Sequence, residues 1–173
     1  MSHQDHELRE KFLFTLEWLL AVTERYTDHV QFGLIHIDFV NPRVLGDAYG
    51  AQEASKKLDE VLHCISKSFR KTDLVARDGV DFWILVPYTV ADGRLAEKVK
   101  DIIEIASQSG LHLVERDISI FSLPFNKREL ELEQNCSATE FLAHLKKNHI
   151  ALANHVISLP PGSNFSAMAK TRV

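Results

Sequence analysis

Nine histidines, two cysteines and a few well-placed charged residues are what this 173-residue chain offers for chemistry. A metal ion needs ligands that converge, at close cysteine spacing or three to four residues apart on one helical face. His144 and His149 are instead five apart, and His3 and His6 lie at the terminus, so most of the histidines read as surface residues. Cys64 falls in a helical pattern and Cys136 in a polar stretch, without the basic neighbours that would hold a thiolate. Neither is given a role. What remains is a set of carboxylates and arginines at the ends of short apolar runs. Asp38 closes one run, Asp81 opens another, and Arg70 and Asp73 stand at a helix-to-strand junction. A small anionic ligand needs only one or two such arginines.

The elements that position these residues follow from hydrophobic spacing. Leu8, Phe12, Leu16, Leu19 and Leu20 recur at helical intervals and predict an amphipathic helix over Glu7 to Thr23. Gln31 to Val40 is apolar, β-branched and short, which predicts a buried strand ending on Asp38 before Asn41-Pro42. A second helix is expected from Ala51 to Phe69, with Leu58, Val61, Leu62, Ile65 and Phe69 on one face. Asp73 to Val86 reads as a hairpin turning at Asp78-Gly79, because both turn positions tolerate positive φ. Phe82 and Trp83 then point to opposite sides of the sheet, and with Tyr88 they read as core or interface aromatics.

A third helix is expected from about Val90 to Ser107, capped at Gly110, and one or two strands from Leu111 to Leu123. Pro124 to Ser137 lacks a period and reads as a loop; a last helix runs from Ala138 to about Asn148 and an edge strand from His155 to Leu159. The expectation is one α/β (α+β) domain over residues 1–159, a mixed sheet of about five strands flanked by helices, and a mobile tail over residues 160–173.

Composition limits the partners. With 20 basic and 24 acidic residues the net charge is -4, which argues against a broad nucleic-acid surface. Thr15 and Glu17 interrupt the longest early apolar run, Phe12 to Val22, and leave it short of a membrane span. With no signal peptide in view, the chain is expected to be soluble and cytoplasmic.

From Phe32 to Leu123 the chain resembles the GGDEF, or diguanylate cyclase, family. The resemblance rests on the strand ending in Asp38, on Asp47-Ala48-Tyr49-Gly50 leading into a helix, and on Arg70-Lys71-Thr72-Asp73 before Arg77-Asp78-Gly79-Val80-Asp81-Phe82-Trp83. It implies a nucleotidyl-cyclase-like sheet on which two domains condense two GTP molecules into cyclic di-GMP with carboxylate-bound metal ions. Asp38 and Asp81 match the metal carboxylates, so residual magnesium binding is one expectation. The five-residue signature reads Gly79-Val80-Asp81-Phe82-Trp83, where the family has Gly-Gly, an acidic pair and Phe. Val80 stands where backbone must approach phosphate, and Phe82 replaces a carboxylate. The guanine-reading Asn and Asp of the family fall at Gly46 and Ser55, and its phosphate-binding Lys at Arg43 behind Pro42. These departures predict a domain without cyclase activity.

The family's product-binding inhibitory site, RxxD ending five residues before the signature, matches Arg70 and Asp73. The resemblance implies a cyclic di-GMP receptor: the Arg fork pairs with phosphate or the guanine Hoogsteen edge, the aspartate accepts from guanine donors, and Lys98 or Lys100 supplies a second basic contact. The same pair also suits a plain ion pair or helix cap, and Arg77 reads as a structural ion-pair partner. The alternative is a protein interaction module in which neither nucleotide site works; residual GTP binding through Asp38, Asp81 and Arg43 ranks below both. No cofactor is required. A protein partner is expected because no sensor or output segment is recognised here, and a homodimer is among the candidates.

Overall fold

In a computed structural model the described residues are 3–26, 29–87, 93–125 and 136–162. The elements are α1 (His3–Arg25), β1 (Phe32–Phe39), α2 (Pro42–Tyr49), α3 (Ala51–Ser68), β2 (Leu74–Asp78), β3 (Asp81–Pro87), α4 (Gly93–Ala106), β4 (Arg116–Leu123), α5 (Ala138–Lys147), α6 (His149–Leu152) and β5 (His155–Leu159). The five strands form one sheet in the order β2-β3-β1-β4-β5. All neighbouring pairs are antiparallel, which corrects the expectation of mixed directions. The reason is topological. β1 and β2 run the same way across a helical connection, but the tight β2–β3 hairpin places β3 between them, so the parallel strands never touch.

The inner strands alternate between two cores. On one face Ile35, Ile37, Phe82, Ile84, Ile118 and Ile120 meet α3 and α4, where Leu58, Val61, Leu62, Ile65, Val99 and Ile103 are buried. On the other, Leu34, Trp83, Leu85 and Phe121 meet Phe12 and Leu16 of α1 and Phe141, Leu142 and Leu145 of α5. Phe82 and Trp83 divide between these cores as the period of two requires. Tyr88 and the expected first turn from Val90 lie outside the described residues, as do residues 126–135 of the expected loop.

The first helix begins at His3, earlier than the apolar pattern indicated, because its opening turn is largely polar. α2 was missed although its signal is present: Asn41 precedes Pro42 in the first turn, where proline's absent N–H has no helical partner to lose. Gly50, at φ 81, breaks the chain between α2 and α3. Gly110, at φ 114, ends the turn after α4 as expected, packed against Tyr49, whose hydroxyl donates to its carbonyl at 3.1 Å. Ser137 caps α5, its Oγ accepting from the Glu140 N–H at 3.2 Å. Where the mobile tail was expected to begin, the chain is held: Arg116 donates to the Pro160 carbonyl and the Gly162 N–H donates to that of His112. Residues 163–173 lie outside the description.

Candidate functional site

The hairpin carrying the signature turns one position later than its Asp-Gly pair suggested. Asp78 pairs with Asp81, so Gly79 and Val80 form the two-residue turn, with Gly79 at φ 63 in the first position. Glycine first is the arrangement whose twist suits the flanking strands. Val80 packs half-buried against the α3-side core, and Phe82 is fully buried with its ring edge on Phe39 at 5.6 Å between centroids.

Asp81 and Trp83 point the other way, toward α1 and α5. There Asp38 lies opposite Asp81 in register, so the strands bring the two expected carboxylates together. Two residues that sequence reasoning missed decide what Asp81 does. Buried His36 shares a hydrogen bond with Asp81 through Nε2 at 2.8 Å and stacks on Trp83 with ring centroids 4.1 Å apart. Lys146 of α5 donates to the other Asp81 oxygen at 2.9 Å. His36 was legible in principle, since it lies two residues before Asp38 and shares its face. Lys146 was not, because only packing brings α5 over the sheet end. Beside this cluster, α1 closes an open cleft in which Arg9 pairs with Asp78 at 3.4 Å.

Burial raises the Asp81 carboxyl, but the hydrogen bonds and charges of His36 and Lys146 outweigh it and hold the group below its ordinary 3.8. Burial lowers Lys146, yet the bond to Asp81 and nearby carboxylates leave it above its ordinary 10.5. Asp38 moves the opposite way to Asp81: burial raises it, His36 and Lys146 pull it down, and Asp81 and Asp117 push it up, for a net rise. The Asp81 cluster is therefore a self-neutralised network. A divalent cation takes several oxygen ligands, and here one of two carboxylates is already held by an amine and an imidazole. Among the described residues no three His, Cys, Asp or Glu side chains converge on a common point. In this arrangement Asp81 is committed to His36 and Lys146, and Asp38 is the carboxylate left beside them.

The depressed Asp81 value fixes the sign of a pH effect. Its ionised form contributes stability above the unfolded value near 3.8, and that contribution is lost as pH falls through the lower folded value. Asp81→Asn is expected to cost about 1–3 kcal/mol at neutral pH. The gap from wild type should close in acid below the folded value, as read by urea unfolding at the two pH values. A gap that persists unchanged in acid would show that packing, not charge, holds the cluster. Comparing variant with wild type also removes most of the opposite contribution from Asp38.

Arg70 and Asp73 form the turn between α3 and β2. The Arg70 N–H donates to Asp73 Oδ2 at 3.0 Å and the Asp73 N–H returns a bond to the Arg70 carbonyl at 3.0 Å. The aspartate thus braces the turn through backbone, while the exposed Arg70 guanidinium has no hydrogen bond or ion pair among the described residues. Lys98 of α4 lies over the ring of Phe69, the residue before Arg70, with Nζ 5.1 Å from the ring centroid. This sets Lys98 against the residue that precedes the turn. Lys100, two positions on and so about 200° around the helix, faces elsewhere and is half-buried. Arg77 is buried and structural: it donates to the Gly79 carbonyl at 2.7 Å, to the Ser55 carbonyl at 3.3 Å, and to Asp59. Ser55, at a guanine-reading position, is thereby engaged, while Gly46 has no side chain to offer and Arg43 is exposed.

Residues 7–149 match the family described as diguanylate cyclase, GGDEF domain. The uncharacterized protein YhcK of Bacillus subtilis (strain 168) is 32% identical over 83 residues, which is 46% of this chain and only 23% of that protein. Among solved structures, the GGDEF domain of DgcB from Caulobacter crescentus in complex with c-di-GMP superposes with a TM-score of 0.58 at 17% identity, over 83% of this chain and 82% of that one. The GGDEF domain of YfiN (TpbB) from Pseudomonas aeruginosa gives 0.57 at 21% identity, over 82% and 86%. Diguanylate cyclase SiaD, in complex with its activator SiaC from the same species, gives 0.52 at 15%, over 80% and 55%. At these identities the structures establish a shared fold.

Proposed function

Because the chain belongs to the GGDEF domain family, we propose that it is a member without cyclase activity that binds cyclic di-GMP through Arg70, Asp73 and Lys98 and signals through a protein partner. The observation that carries the reading is the exposed Arg70 guanidinium, without a hydrogen bond or ion pair among the described residues, on a turn braced by Asp73, with Lys98 packed over the preceding Phe69. A guanidinium held at a fixed turn offers a planar fork to phosphate or guanine, and the ammonium adds a second positive charge. Asp73 uses one oxygen for the turn, which leaves its other oxygen to meet guanine donors. Loss of cyclase activity is supported by the commitment of the other positions: Phe82 to the core, Asp81 to Lys146 and His36, Ser55 to Arg77. The c-di-GMP complex of DgcB and the SiaC complex of SiaD make both a nucleotide ligand and a protein partner reasonable for this fold.

A second reading, an interaction module without nucleotide, is favoured by the same Asp73 contacts, since a structural turn needs nothing more. Calorimetric titration with cyclic di-GMP, then with GTP and magnesium, separates the two. Expected is cyclic di-GMP binding with a Kd on the order of micromolar, weakened roughly 10- to 100-fold in Arg70→Ala as a charge-assisted contact is lost. Absence of binding to either nucleotide selects the interaction module. Product formed from GTP would overturn the inactive assignment.

A further inference from the structure

We propose that α1 carries a self-association surface through which two copies of this chain pair with their first helices antiparallel. One side of α1 is committed to its own domain, where Phe12 and Leu16 are buried against the sheet and Asp5 and Thr23 are buried above and below them. On the opposite side Glu7, Lys11, Phe14, Trp18, Ala21 and Arg25 follow one another at alternating steps of four and three residues. That spacing forms a continuous seam along a helix and is the spacing by which two helices pack against each other. All six are exposed, and the two aromatic rings at the centre, Phe14 at 76% and Trp18 at 60%, are left in water. An exposed aromatic pair on a regular seam marks an interaction face rather than a scattered surface residue.

Charge along the seam selects both the occupant and its direction. Two copies running the same way would set Glu7 against Glu7, Lys11 against Lys11 and Arg25 against Arg25, three repulsive layers. Running oppositely, about an axis between Phe14 and Trp18, each Glu7 meets Arg25 of the partner subunit. Each Phe14 then meets Trp18 of the partner subunit, and Lys11 lies across Ala21 of the partner subunit, where its aliphatic stem covers a small residue. A second copy therefore fits this face with an apolar centre and paired charges at both ends. The pairing is isologous and closes on itself, so it yields a dimer and not a fibre. It uses none of the residues at the Arg70–Asp73 turn.

Sedimentation velocity over a concentration series from low micromolar to several hundred micromolar tests this. Wild type is expected to pass from monomer to dimer, with Trp18 emission shifting to the blue as it becomes buried while Trp83 is already inside. Trp18→Glu is expected to weaken association roughly 30-fold or more, as for a central aromatic anchor. Glu7→Arg should weaken it about 10-fold. Glu7→Arg combined with Arg25→Glu should restore it, since the opposed charges are then exchanged. Far-UV circular dichroism confirms that these exposed substitutions leave the fold intact. A wild-type monomer at every concentration, or a dimer indifferent to Trp18→Glu, would overturn the proposal. A dimer indifferent to Glu7→Arg would overturn the antiparallel direction.

Discussion

Restoring the missing acidic position of the signature by Phe82→Glu is expected to unfold the domain, not to return it to cyclase chemistry. Phe82 is fully buried between β3 and the α3-side core, with Phe39 at its ring edge. Removing a buried aromatic ring alone costs about 3–5 kcal/mol. Placing a carboxylate in the same apolar pocket adds a desolvation cost of several kcal/mol unless the group stays protonated. The sum approaches or exceeds the roughly 5–15 kcal/mol by which a domain is stable. Phe82→Leu, which keeps most of the apolar volume, should cost only about 1–2 kcal/mol. Thermal melts of the two variants check this: a cooperative, near-native transition in Phe82→Glu would mean that the strand can rotate the side chain outward, and the case for inactivity from this position would fall.

Arg77→Ala is the second large effect, expected at about 3 kcal/mol, or roughly 10 °C in Tm for a chain of this size. The guanidinium is buried and ties β2 to α3 and to the signature turn, through Ser55, Asp59 and the Gly79 carbonyl. Asp59 is more than a third exposed and can return to water, so the lower end of the range for a broken buried pair applies. Arg77→Lys should recover little, because a single ammonium cannot reach three acceptors set around a planar fork. Differential scanning calorimetry decides the matter, and a loss below about 1 kcal/mol would reduce the network to an ordinary surface pair.

Local pattern carried most of the fold. Helix α3 buries the residues its spacing indicated, from Leu58 to Ile65, and α4 and α5 form where helices were expected. Period-two alternation alone separates Phe82 from Trp83. Errors arose where local signals compete. The Asp78-Gly79 pair is a strong hairpin signal, yet the register of β2 on β3 shifts the turn to Gly79-Val80. α2 is only eight residues long and buries little, so its proline start was its one clear mark.

The sequence by itself, through its motif resemblance, pointed to the family and to the departures at Val80 and Phe82; that Asp38 lies opposite Asp81 follows from the register of β1 on β3. Only the tertiary structure decided what that pair does. His36 arrives by alternation along β1, but Lys146 comes from a helix 65 residues away in sequence, and together they occupy both oxygens of Asp81. In the same way, Phe69 and Lys98 meet only because α3 packs on α4, which sets a cation against the residue before Arg70. Local periodicity fixes which face of an element a residue occupies; which faces meet depends on long-range packing that no short window of sequence contains.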